Sequence, residues 1–252
     1  MTRTTRLVVF ALGAAGLAAL MAVAFADLPA FGDYSGRYGR IIAQIAIPDR
    51  AATNAVTFTA FDVRAVDTLV EEFIVFAAAI AAVALLRHVH DEPERESFPD
   101  DVLRPRTSPA VLVMGAALVG PTVVIALNLV AHGAITPGGG FQGGVVLAAA
   151  AVVVVAAGGR VRLPPDQPPL LAEIVHGAGA AGFVLLGLAG LAFTGAFLDT
   201  TWAGHGTPGM LLSAGSIPLL NVATALEVSG ALVVIAAEFL EQEMLAMEPE
   251  ES

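Results

Sequence analysis

The chain of 252 residues contains no cysteine and no lysine. Without thiols it forms neither a disulfide framework nor a thiolate metal centre. Without lysine, arginine supplies all 12 fixed positive charges against 23 acidic residues, a net charge of -11. That balance disfavours nucleic acid as a partner. Charge of either sign is scarce, at 14% of residues, while 56% are hydrophobic and the mean hydropathy is +0.78. There is too little polar surface to clothe a soluble globule. The expected fold class is therefore an all-α, polytopic membrane protein seated in a lipid bilayer.

About six apolar stretches approach the roughly 20 residues needed to cross about 30 Å of hydrocarbon. They run from about 7 to 26, 66 to 86, 109 to 131, 139 to 157, 174 to 197 and 216 to 240. Arg3 and Arg6 before a run ending Ala24-Phe25-Ala26 also suit a signal peptide, but the run is long for one, so an uncleaved helix is expected. Arginine placement orients the chain. With the amino terminus cytoplasmic, Arg3, Arg6, Arg87, Arg95, Arg104, Arg106, Arg160 and Arg162 fall on the cytoplasmic side. The connections after the third and fifth stretches hold none, and Arg37, Arg40, Arg50 and Arg64 share one long outer connection. Both termini are then cytoplasmic, and the membrane is the inner (plasma) membrane of the cell.

The organisation expected is a two-helix segment (1–90), a polar linker rich in proline (91–107), a four-helix segment (108–242) and an acidic tail (243–252). No internal repeat supports an inverted-repeat transporter. Between the third and fourth stretches lies a glycine knot, His132 to Gly144. Irregular backbone at membrane depth is tolerated only where protein buries it or it lines a wet cavity. Pro137 suits the first turn of the following helix, and Gly138, Gly139 and Gly140, next to Phe141, permit close backbone approach. Gly139 with Gly143, and Gly140 with Gly144, make small-xxx-small pairs. His132 beside the break is a candidate proton carrier. No GKS or GKT and no preceding strand accompany these glycines, so no nucleotide-binding loop is present.

Glu227 falls mid-way along the sixth stretch. An ionisable group there is expensive, by about 2.5–3.5 kcal/mol on insertion scales, so it should face the bundle interior. Thr224 and Gly230 share its side of the helix. A further charged set, Asp62, Arg64, Asp67, Glu71 and Glu72, opens the second stretch as a possible ion-pair ladder. Glu173 and His176 share a face of the fifth stretch but lie shallow, where a structural role is expected. No metal site is indicated.

Three segments, His132 to Gly144, Phe183 to Leu198, and Ser213-Ala214-Gly215-Ser216-Ile217-Pro218-Leu219-Leu220-Asn221 leading into Leu226-Glu227, together resemble the B subunit (MnhB/MrpB) of Mrp-type multi-subunit cation/proton antiporters. The resemblance spans about residues 108 to 242. Separately, Thr53-Asn54-Ala55-Val56-Thr57 and the run Phe61 to Glu71 resemble the carboxyl-terminal piece of the large A subunit, which stands alone as a small subunit in related membrane-bound hydrogenases. The chain thus resembles a fusion of two neighbours in one complex. The family commonly has Gly-Glu-Ile after Asp-Thr-Leu, whereas this chain has Val70-Glu71-Glu72, so its glutamate carries over to Glu71 and an extra acid follows.

The resemblance implies a subunit of a hetero-oligomeric antiporter that exchanges monovalent cations, sodium above all, for protons without a chemical cofactor. It is not an enzyme by itself. Candidates for the ion or proton path are Arg64, Asp67, Glu71, Glu72, His132 and Glu227. Two other roles stay open: the same module in a redox-driven complex such as a membrane-bound hydrogenase, and a purely structural helix-packing subunit.

Overall fold

A computed structural model describes residues 3–26, 28, 36–86, 108–156 and 170–246. The chain divides at residue 41 into two units. The first holds α1 (Arg3–Ala26) and the start of α2 (Arg37–Arg50). The apolar run Leu7–Ala26 leaves its side chains exposed along its whole length, as contact with lipid requires.

The second unit holds the rest of α2, α3 (Ala55–Phe58), a π-helical turn (Thr59–Val63), α4 (Ala65–Leu86), α5 (Pro109–Ala131), α6 (Gly140–Ala156), α7 (Leu170–Thr194), a 3₁₀ turn (Thr201–Ala203) and α8 (Ile217–Ala246). Among the described residues the one β pairing is an isolated bridge between His205 and Ala214. The all-α polytopic expectation holds. Five helices have the length and hydropathy to cross a membrane, and the sixth apolar helix, α6, is shorter. Its 17 residues rise only about 26 Å.

The long connection after α1 is more ordered than its polarity suggests, because it contains α2, α3 and the π turn. Ile42 and Ala46, one turn apart on α2, join a core with Phe58, Phe61, Phe183 and Ile217. The two segments read from sequence share this core, since α4 packs on both α7 and α8. The linker 91–107 and the end of the acidic tail from residue 247 lie outside the described residues.

From α4 to α8, successive helices run antiparallel. The starts of α4, α6 and α8 and the ends of α5 and α7 meet at one end of the bundle, where Asn54 reaches the α5–α6 break and Asp62 meets Thr200. Of these helices α8 is the central one, touching α4, α5, α6 and α7.

The break between α5 and α6 is partly buried by protein: Gly133, Ala134 and Gly139 are buried, whereas Thr136 and Pro137 are exposed. Gly138 and Gly139 have φ of +152° and +134°, which places them outside any right-handed helix and favours glycine at both. Helix α6 therefore starts at Gly140, and Pro137 precedes it by a loop rather than sitting in its first turn, which corrects the sequence expectation. Gly139 for the same reason is not half of a helical small-xxx-small pair. Gly140 and Gly144 are such a pair and both face α8, whereas Gly143 faces Val130 and Ala126 of α5.

Asparagines lock this break. Asn221 Oδ1 accepts from Gly140 N at 2.8 Å. The amide nitrogen of buried Asn54 lies 2.7 Å from Gly133 O, 2.8 Å from Thr136 O and 2.8 Å from Thr57 Oγ1, while its Oδ1 caps α3. Changing Asn54 to Ala removes a helix cap and strands buried carbonyls, a cost of about 2–4 kcal/mol. The thermal midpoint of the purified protein should fall clearly. N54D retains the cap oxygen but replaces both donors with a carboxylate oxygen facing the Gly133 and Thr136 carbonyls, and is expected to fall at least as far as N54A.

Candidate functional site

Two glycines set the geometry of the most unusual polar group in the bundle. A Cβ on Gly179 of α7 would lie 2.2 Å from the backbone N of Glu227, and one on Gly230 of α8 would lie 2.5 Å from the backbone N of His176. Each helix therefore presents a notch to the other beside the other's ionisable residue. Such backbone approach is what small residues permit in membrane helices. As a result His176 Nε2 stands 3.7 Å from Glu227 Oε1. Helix α4 closes the third side: Phe76 stacks obliquely on the His176 ring at 4.6 Å, and the Glu72 carboxyl meets Glu227 and Thr224.

All four polar residues are enclosed. Glu72 is 2% exposed, His176 5%, and Thr224 and Glu227 0%. Within the protein, both carboxyls, the His176 Nε2 and the Thr224 hydroxyl have no hydrogen-bond partner. Helices α4 to α8 contain no arginine, and the chain has no lysine. Two bare carboxylates cannot persist here, because an unpaired buried charge is neutralised rather than tolerated. The cluster is chemically equipped to take up a proton or a small cation.

Of the sequence candidates, Glu227 is at the centre of this group. Of the two adjacent acids, Glu72 turns inward and Glu71 is exposed on the far side of α4. Adjacent helical residues are about 100° apart, so only one of them can face α8. Arg64 and Asp67 form an exposed pair with each other. The proposed ladder is split, since Asp62 pairs instead with Arg50 of α2 at 2.9 Å. His132 is half-buried at the end of α5, its Nδ1 3.1 Å from Asn128 O. It sits at the level of Asn221, whose amide borders Gly133, and so about 9 Å along α8 from Glu227. Phe141 is half-buried in the first turn of α6.

His176 is the residue the sequence reading misplaced. It is buried against Glu227 rather than lying at an exposed helix start, and α7 begins at Leu170, four residues earlier than the apolar run suggested. The usable signal was Gly230, which opens space for α7 one turn beyond Glu227.

At the end of the bundle bearing the break, a cleft of about 630 Å³ is lined by Arg50, Asp62, Arg64, Asp67, Phe197 and Asp199. Burial acts to raise the Asp199 pKa, but hydrogen bonds from Thr201 and Thr194 and the charge of Arg50 outweigh it and hold the group below the usual aspartate value. The cleft is thus framed by ionised groups of both signs.

Residues 110–234 match the family described as a domain related to the MnhB subunit of Na+/H+ antiporter. An uncharacterized protein of Methanocaldococcus jannaschii is 32% identical over 203 residues, covering 73% of this chain and 75% of its own length. Among solved structures, a chain of an archaeal respiratory membrane complex, the membrane-bound sulfane sulfur reductase, superposes with a TM-score of 0.72 at 27% identity, covering 94% of this chain and 98% of that one. A chain of the Mrp complex from Dietzia sp. superposes with a TM-score of 0.66 at 24% identity, over 94% of this chain and 26% of that longer one, a likeness of fold.

Proposed function

Because this chain belongs to the family of proteins related to the MnhB subunit of Na+/H+ antiporters, we propose that it serves an Mrp-type complex in exchanging sodium for protons. It is a multi-pass membrane subunit of the Mrp-like and sulfane sulfur reductase type of complex. In our reading it contributes part of the ion or proton path through Glu72, His176 and Glu227, and a scaffold built around the glycine knot. The observation that carries this is the enclosed carboxyl pair between α4 and α8, in a bundle whose helices α4 to α8 supply no arginine or lysine to neutralise it. A packing role would be served as well by apolar side chains, whereas costly buried acids in membrane helices mark pathways. The residues before the linker correspond, in this reading, to the carboxyl-terminal piece of the A subunit; both structural matches cover 94% of the chain and so extend beyond residues 110–234.

The direct test is sodium-dependent proton movement in vesicles containing the intact complex. No response to sodium, together with copurifying iron-sulfur subunits, would favour the redox-driven alternative. That alternative draws support from the near-complete coverage of the sulfane sulfur reductase chain.

We also place both termini in the cytoplasm and the break end of the bundle outside, from the arginine distribution. A reporter fused after Ser252 should read as cytoplasmic, and one inserted between Thr200 and Thr207 as external. A periplasmic signal at Ser252 would reverse the assignment.

A further inference from the structure

We propose that Glu72, Glu227 and His176 form a proton-loading site in which the two glutamates share one proton and His176 exchanges a second with Glu227. This rests on the reading that a path passes through the cluster, and it names protons as the species handled there. The first argument is charge. No arginine or lysine lies in α4 to α8, so the neutralising positive charge must come from outside. The second argument separates proton from metal. Among the described residues no group of three or more histidine and acidic side chains converges as ligands would, and hard cations require several oxygens around one point. The cluster instead offers an imidazole nitrogen, which can carry a proton, 3.7 Å from a carboxyl oxygen.

Protons can be counted through the cycle. With two protons held, the site is neutral in either of two arrangements: both glutamates protonated beside a neutral His176, or one proton shared between the glutamates beside an imidazolium. Moving between them breaks the O–H bond of Glu227, leaves its electron pair on the carboxylate, and forms N–H at Nε2. Release of the imidazolium proton leaves one negative charge spread over the carboxyl pair. The Thr224 hydroxyl, on the same face, is free to donate to that charge. Other ionisable groups near the site are few. Glu71 stands beside Glu72 on α4, Glu173 lies one turn from His176 on α7, and Glu238 lies about three turns further along α8. Helices α5 and α6 contain none.

The test is infrared spectroscopy of the assembled complex in lipid nanodiscs as pH is raised. Wild type should show a carboxylic-acid C=O band that bleaches at alkaline pH and moves when the protein is made with 13C-glutamate, a control that needs no variant. E72Q and E227Q should each abolish or displace the band, E227D should restore it at a shifted position, and H176N should change the pH at which it bleaches. Saturating sodium, potassium or lithium should leave the band as it is in choline. Loss of the band on adding sodium at fixed pH would make this a cation site and overturn the proposal, as would a band insensitive to labelling or to both Gln variants. Loss of the band in E227Q with undiminished transport would support the proton site while overturning the path reading it was built on.

Discussion

Replacing Glu227 by Gln is expected to abolish cation-driven proton movement in vesicles containing correctly assembled complex, and Glu227→Asp to restore part of it. Gln keeps the length, shape and hydrogen-bonding capacity of the side chain but can neither exchange a proton nor hold a charge. The surroundings sharpen the contrast. Glu227 is fully enclosed beside Glu72, and a Gln there keeps a side chain able to hydrogen-bond with that neighbour, so loss of exchange in the Gln variant points to the proton itself. If it were structural glue, Gln would serve as well and Asp, being shorter, would serve worse. A relay predicts the reverse order, with a drop of at least about tenfold for Gln, or about 1.4 kcal/mol on the barrier. Normal exchange by the Gln variant would reduce Glu227 to a packing residue and leave Glu72 and His176 as the remaining relay candidates of the cluster, with His132 outside it.

The second large effect concerns assembly. A Cβ on Gly140 would lie 2.5 Å from Asn221 O and 2.5 Å from Thr224 Cβ, and the Gly140 N–H also donates to Asn221 Oδ1. The carbonyl obstacle is backbone and cannot rotate away. Overpacking of this kind costs about 1–3 kcal/mol even where neighbours can shift, and here it also strains the asparagine lock. Gly140→Leu should therefore give little or no assembled complex by native gel or size-exclusion analysis. Gly143→Leu should also impair assembly, because the added carbon would lie 2.3 Å from the Val130 Cγ2 methyl, a branched side chain with little rotamer freedom in a helix, and 3.1 Å from Ala126 O. Gly16→Leu in α1 should assemble as wild type, since nothing lies within 4 Å of the added carbon. Normal assembly and transport by Gly140→Leu would refute the packing role of the knot.

Hydropathy placed the apolar spans within about four residues at each end, because a lipid-facing segment must be apolar nearly all round and the signal needs no partner. The break was legible for a related reason: proline and glycine cannot hide at membrane depth. Its internal geometry was not, since whether Pro137 starts a helix depends on Gly138 and Gly139 adopting positive φ, which the lock through Asn54 and Asn221 imposes. The choice between Glu71 and Glu72 was equally hidden, because which of two adjacent residues faces α8 is decided by how α4 packs against it, and nothing in the local pattern announces that. Asp62 went to Arg50, a residue twelve positions away, instead of its near neighbour Arg64. In each case the missing information was long-range contact.

The origin of the three acid-base groups along the chain has its own consequence. Glu72 comes from the segment before the 91–107 linker, His176 and Glu227 from the segment after it. Because a single polypeptide carries both, the groups meet by an intramolecular event, at an effective concentration of order millimolar for a short tether, whatever the expression level. A cell making this chain cannot assemble one half of the cluster without the other. Cutting the connection would turn closure of the site into a bimolecular association, in which each unmatched half would leave a glutamate facing lipid.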